Sequence, residues 1–239
     1  MNFDTKYLYI ILGFIVIMNL FSGSFDILSM LLTLPGVLVA ITFHEYAHAL
    51  AAYKLGDDTP KVQGRLNLNP LTHLDPIAVV LLVFTHIGWG KPVEINPNNF
   101  SSRIYARTGE AIVAAAGPIM NILLAFIITI ILYVIQIFAT TFAFTSKIIM
   151  PILEYAIIVN VGLGVFNLIP LPPLDGSKVL MGFLPYNARR WFEEHEKVFY
   201  IIFIVIWITP IASLIISPVI NAITYGIDKI VSGLFSLFI

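Results

Sequence analysis

The sequence predicts an all-α polytopic membrane protein built around a metal site, and three observations carry that prediction. Of the 239 residues, 59% are hydrophobic and only 11% are charged, against about 25% charged in ordinary soluble domains. The apolar residues gather in long runs, and the mean hydropathy is +0.93. One of those runs, Ile27 to Tyr53, contains His44-Glu45-Tyr46-Ala47-His48 near its downstream end. Histidines four apart share a helix face and can offer two imidazoles to one metal ion, with the intervening Glu as base for an activated water. Ionisable side chains inside a membrane span are costly and mark functional sites.

The elements follow in order. Tyr7 to Phe21 reads as a short retained span, because no small-residue cleavage site follows it. Ser22-Gly23-Ser24 is a turn. Ile27 to Tyr53 is the second span, and Pro35-Gly36 is expected to kink or unwind it about two turns before His44. Lys54 to Asp75 is polar, and Asp75 caps the segment that follows. Pro76 to Trp89 is apolar, but its length of about 14 residues falls short of the roughly 20 that a span needs. It reads as re-entrant. Gly90 to Phe100 has the Pro and Asn spacing of an extended strand or turn. Ala111 to Phe138 is a long span carrying Gly117 and Asn121. Ile148 to Leu168 is another, broken at Pro170-Leu171-Pro172-Pro173. Arg189 to Lys197 is a charged surface segment. Val198 to Ile216 is a further span, and Val219 to Ile239 spans or lies at the interface.

The expected architecture therefore has about six transmembrane helices. A re-entrant segment and a short β-type element lie between the His-Glu-x-x-His helix and the next core helix. Residues 1–239 form one membrane-embedded domain, with a catalytic core at about 28–182 and peripheral helices at 7–21 and 198–239. No polar segment is long enough to form an independent soluble core.

Charge and composition exclude several function classes. A net charge of −1 argues against nucleic acid as a partner. There are no cysteines, so a metal must be held by His, Asp or Glu. With Pro76 to Trp89 re-entrant, Lys6, Lys54, Lys61, Arg65, Lys91, Arg103, Arg107, Arg189, Arg190 and Lys197 share one side. Lys147 alone lies in the opposite loops. The positive-inside tendency puts the basic side in the cytoplasm, and His44 then lies roughly 13 Å of helix from that surface.

A catalytic zinc site usually has three protein ligands and an open position. A metzincin pattern would need a third His at position 54, which is Lys54. A thermolysin-like pattern would use a downstream Glu, but none stands between Glu45 and Glu94. The Asn167-Leu168-Ile169-Pro170-Leu171-Pro172-Pro173-Leu174-Asp175-Gly176 segment supplies the alternative. Broken backbone at membrane depth is tolerated where it lines a cavity or is buried in protein, and the break falls near the depth of His44. Asp175 completes a His/His/Asp set; its competing reading is a helix N-cap after the Pro break.

HEYAH on a membrane helix, followed far downstream by NLIPLPPLDG, resembles the site-2 protease family of intramembrane zinc metalloproteases, peptidase family M50. GRLNLNPLTHLDP and GWGKPVEINPNNF are similar to its compact bacterial and archaeal subgroup, which has neither a PDZ nor a CBS domain. The resemblance implies one Zn2+ per chain on His44, His48 and Asp175, with Glu45 as catalytic base. It implies a substrate or oxyanion role for Asn167, and substrate pairing along Val93, Glu94 and Ile95. Gly117 and Asn121 match a GxxxN-type motif, whose simplest reading is close helix packing with a cross-helix hydrogen bond. The expected partners are the lipid bilayer and a single-pass membrane protein or signal-peptide-like substrate. The expected location is a prokaryotic cell membrane, with the active site nearer the cytoplasm.

The remaining candidates read as structural. His73 is a loop hydrogen bonder, His86 a buried core histidine and His195 a solvated surface residue. A transporter relaying ions through the same cluster would carry more charge in its other spans, which hold almost none. An inactive scaffold would lack a catalytic residue, and none is missing.

Overall fold

The computed structural model describes residues 26–74, 90–139 and 145–236. The expected span at 7–21 and the segment at 76–89, with Asp75 and His86, lie outside these residues.

Helix α1 is Ile27–Lys54. Asp26 starts it by accepting the Leu28 N–H at 3.0 Å. The helix continues through Pro35, so the chain does not unwind there. Proline removes one hydrogen bond, but neighbouring contacts can hold the helix across the gap. Gly36 supplies such a contact: a Cβ there would lie 2.6 Å from the Ala156 Cα, so the two backbones are in close approach. At the other end, Gly56 takes φ +109°. Its N–H bonds to Tyr53 O at 3.1 Å, and that of Asp57 to Ala52 O at 3.0 Å. This pattern satisfies the last carbonyls and turns the chain sharply.

Helix α2, Ala106–Ala139, and helix α3, Met150–Asn167, pack with α1. Their buried core includes Leu124, Ala125, Ile128, Leu132, Ala156, Ile157, Val161 and Val165. Hydrogen bonds join α2 to Ala40 and His44 of α1 and to Asn160 of α3. Asn121 meets His44 while Val113 meets His48, and Asn121 meets Asn160 while Pro118 abuts Gly164, so α2 runs antiparallel to both partners. After the Pro-rich break come α4, Asp175–Phe183, α5, Tyr186–Glu194, α6, Glu196–Ile208, and α7, Ile211–Phe235.

The C-terminal third differs from the expected division. The run from Val198 to Ile216 is not one helix, because Pro210 forces Thr209 to φ −111° and ψ 160°. Helix α6 has 13 residues, about 20 Å of helix against a hydrocarbon core of about 30 Å. Helix α7 has 25 residues and is long enough to cross. Tyr133, near the end of α2, hydrogen-bonds Asp228 and stacks on Phe235 of α7. Helix α7 therefore runs parallel to α2, and its start lies at the basic end of the bundle. Among the described residues, four helical stretches have the length and hydropathy of membrane spans: 27–54, 106–138, 145–167 and 211–235. The protein is an integral membrane protein. The exposed apolar face of α2, with Ile112, Ile119, Leu123, Ile127 and Ile131, suits contact with lipid.

The expected β-type element is not a strand among the described residues. Lys91–Asn96 is extended without ladder pairing, and an isolated antiparallel bridge joins Leu74 to Gly90.

Candidate metal centre

Helix periodicity puts His44 and His48 on one face of α1, where both are buried. Asp175 arrives from 127 positions beyond His48. The Pro-rich break makes this possible. Leu174 takes the extended N-cap position of α4 and Asp175 becomes its first helical residue, with no side-chain cap bond at this terminus. The competing N-cap reading of Asp175 therefore falls away. Gly176 is seated against the Leu168 and Ile169 carbonyls so closely that a Cβ would collide with them. The start of α4 is thereby pressed onto the end of α3.

The three groups converge to a triangle. His44 Nε2 and His48 Nε2 each lie 3.1 Å from Asp175 Oδ2 and 3.0 Å from each other. His48 Nδ1 donates to the Val113 carbonyl at 2.7 Å. His44 Nδ1 faces Asn121 Oδ1 at 2.6 Å. Both Nδ1 atoms therefore carry the ring proton, and both Nε2 atoms turn lone pairs toward the cluster. Two lone pairs and an anion at this separation call for a cation between them. Ligand atoms at about 2.0–2.1 Å from tetrahedral zinc are about 3.3 Å apart, close to the triangle's edges. The cluster fits zinc.

Gly117 makes room for the rings: a Cβ there would lie 2.5 Å from His48 Nε2 and 2.8 Å from His44 Cε1. Glu45 is buried beside the cluster on α1. A Cβ on Gly90 would lie 2.5 Å from the Glu45 Oε1, so the 90–96 segment begins against that carboxylate. Ile95 packs against the buried cluster of Ala52, Phe100 and Val113, as do Ala51 and Leu55 of the α1 end, so the segment lies near the last turns of α1. Glu94 is exposed and accepts a hydrogen bond from Gln63 at 2.7 Å. No backbone hydrogen bond joins Val93, Glu94 or Ile95 to another described residue.

Of the predicted site residues, His44, His48 and Asp175 are brought together, with Glu45 beside them. Asn167 is not drawn into the cluster; its amide donates to Leu163 O at 3.1 Å within its own helix. His73 is fully buried and shares a 2.7 Å hydrogen bond with Asn67 O, as its loop reading expected. Three residues gain weight from the structure. Asn121 is more than a packing residue, since it holds His44. Asn160 holds Asn121 at 3.1 Å. The signal for Asn160 was an isolated amide in an apolar span, which is costly unless paired. Asp57 is fully buried and accepts from Thr59, the Asn96 N–H at 2.7 Å and the Asn99 amide at 2.9 Å. It anchors the far end of the 90–96 segment.

Comparison with known proteins gives the following. Residues 32–210 match the peptidase family M50. The chain is 37% identical over 201 residues to "Putative zinc metalloprotease YwhC" of Bacillus subtilis, covering 83% of this chain and 90% of that protein. It is 27% identical over 189 residues to "Putative zinc metalloprotease Rip2" of Mycolicibacterium smegmatis, covering 75% of this chain and 68% of that protein. The Rip2 protein of Mycobacterium tuberculosis strain H37Rv is 25% identical over 207 residues, covering 82% of this chain and 71% of its own length. No solved structure matches.

Proposed function

The chain belongs to peptidase family M50 and is a zinc metalloprotease, and we propose that it hydrolyses peptide bonds within or beside transmembrane segments. The observation that carries this reading is the buried triangle of His44, His48 and Asp175 on helices apolar enough to span a membrane. These three residues would hold one zinc ion per chain, which when bound would supply Lewis acidity and make water a better nucleophile.

Glu45 is the general base. Its carboxylate takes a proton from the attacking water and delivers it to the leaving amine. Asn167 is the proposed donor to the developing oxyanion, through the second amide hydrogen that its bond to Leu163 O leaves over. Losing one such donor typically costs about 10²–10³ in rate. A peptide bond in a helix is shielded by its own hydrogen bonds, so the substrate must be unwound before attack. Val93 to Ile95 offers backbone groups with no partner among the described residues, and an unwound segment can pair with them by β-augmentation. The segment starts at Glu45, which puts the paired peptide beside the base.

The substrate class is a single-pass membrane protein or a signal-peptide-like segment. The enzyme works as one membrane-embedded domain in a prokaryotic cell membrane, with its site toward the cytoplasm. The basic residues Lys54, Lys61, Arg65 and Arg107 near the metal-site ends of α1 and α2 support that orientation.

The reading is tested by measuring zinc in purified wild type, His48→Ala and Asp175→Ala. About one zinc per chain in wild type and a loss in both variants is expected. Wild-type zinc content in both variants would remove the reading.

A further inference from the structure

We propose that Asn121 and Asn160 act as a pair of positioning residues for the metal centre, fixing which nitrogen of His44 faces the ion. The proposal rests on the ligand set above. The two asparagines are fully buried, one on α2 and one on α3, and neither touches the carboxylate or His48 in the hydrogen-bond pattern.

The argument is one of polarity. The Asn160 amide N–H donates to Ala156 O in its own helix at 2.8 Å. That leaves its oxygen facing α2, where it accepts from Asn121 Nδ2 at 3.1 Å. The second hydrogen of Asn121 Nδ2 goes to Ala40 O of α1 at 3.0 Å. With both hydrogens used, Asn121 presents only its oxygen to His44 Nδ1, at 2.6 Å. An amide oxygen accepts and cannot donate, so the ring proton sits on Nδ1 and the Nε2 lone pair faces the cluster. Reversing Asn121 would set its oxygen against both Ala40 O and Asn160 Oδ1. Both are acceptors, and buried unpaired polar groups are costly.

His48 needs no such device. Its Nδ1 meets the Val113 carbonyl, whose polarity is fixed by the backbone. A side-chain amide can flip, and Asn121 is therefore held from two directions. Asn160 adds a helix to the device: α3 carries it and, one turn on, Gly164, where a Cβ would lie 3.0 Å from Pro118 O of α2. The close α2–α3 contact keeps the two amides in reach. The apolar spans thus contribute two polar residues whose task is to orient a ligand. Outer groups of this kind typically change metal affinity by about 10–100-fold.

The test uses full-length protein purified in detergent, with zinc affinity read by competition with a chelating dye and site geometry by the visible spectrum of the Co2+-loaded protein. Asn121→Leu is expected to lose about 10–100-fold in zinc affinity, and Asn160→Leu about tenfold, each with a shifted cobalt spectrum. Asn160→Ala, which adds no bulk, gives the same loss if the leucine disturbs folding. Thr129→Val removes another buried polar group of α2, which among the described residues bonds Ala125 O of its own helix, and leaves zinc affinity unchanged. Wild-type affinity and spectrum in Asn160→Leu and Asn160→Ala would overturn the proposal, as would an equal loss in Thr129→Val. His44→Ala separates the two levels. Zinc bound as in wild type after that change would sink the ligand reading itself. Zinc lost there but kept in the Asn160 variants would sink only the positioning role.

Discussion

The metal corner and the Gly90–Asn96 segment lie side by side on α1 and are held in opposite ways. At the corner, His44 and His48 are buried, both ring nitrogens of each are engaged, and the bonds run to α2 and α4. The segment is fastened at its ends. Gly90 bridges Leu74 and abuts Glu45, the Lys91 N–H reaches His73 O, and the Asn96 N–H reaches Asp57. Between those points the backbone has no partner among the described residues. The contrast matches the division of labour proposed above. Groups that hold charge gain from being fixed before reaction, whereas a surface that pairs with another chain must leave its backbone groups free.

The strongest way to break this contrast is to fill the corner. Gly117→Val puts atoms where the histidine rings now sit, with the Cβ alone 2.5 Å from His48 Nε2. Zinc content of the purified protein is expected to fall to background, with cleavage lost alongside it. Gly90→Ala acts at the boundary between the two regions. Its methyl displaces the Glu45 carboxylate, and misplacement by about 1 Å can cost about 10²-fold in rate. The expected result is a lower kcat with zinc content unchanged, which separates base from metal.

Asp57→Ala acts on the loose region alone. It removes a buried acceptor with four hydrogen bonds, at a cost of about 1–3 kcal/mol. Zinc content should hold while KM for a membrane substrate rises. Acid should reproduce the effect. Burial pushes the Asp57 carboxyl up, but hydrogen bonds from Thr59, Asn96 and Asn99 outweigh it and hold the folded value below the ordinary 3.8. Its contribution is therefore complete above the unfolded value and is lost as pH falls through the folded one. The protection factors of amides in the 94–99 segment, corrected for the intrinsic exchange rate at each pH, should fall at acid pH in wild type and stay level in Asp57→Ala. Gln63→Ala removes an exposed bond to Glu94 and should change KM least, since exposed polar pairs contribute about 0–1 kcal/mol.

The corner was legible in the sequence because its chemistry is written in local spacing. His44 and His48 are one turn apart, and Asp175 follows a Pro-rich break that no membrane span would carry without reason. The residues that hold the corner were harder to read. Asn121 and Asn160 are 39 positions apart; the GxxxN reading of Asn121 gave a cross-helix hydrogen bond without its partner, and Asn160 looks like one amide in an apolar run. Their pairing exists only once α2 and α3 are packed. Asp57 lies within the polar stretch from Lys54 to Asp75, and its bond to Asn96 is equally remote. The division at Pro210 was available from local rules, since a residue before proline avoids the helical region. The apolar continuity across it hid the break. At Pro35 the unwinding that local rules allow is absent, because close packing of Gly36 on Ala156 holds the helix together.

The most direct measurement is cleavage of a membrane-anchored substrate, reconstituted in lipid with purified wild type or Glu45→Gln, and with the product termini mapped by mass spectrometry. The account predicts a wild-type cut within or beside the transmembrane segment. It predicts at least a 10²-fold loss in Glu45→Gln, with zinc content equal in the two proteins. A Glu45→Gln protein that holds zinc and cuts the same bond at the wild-type rate would contradict it.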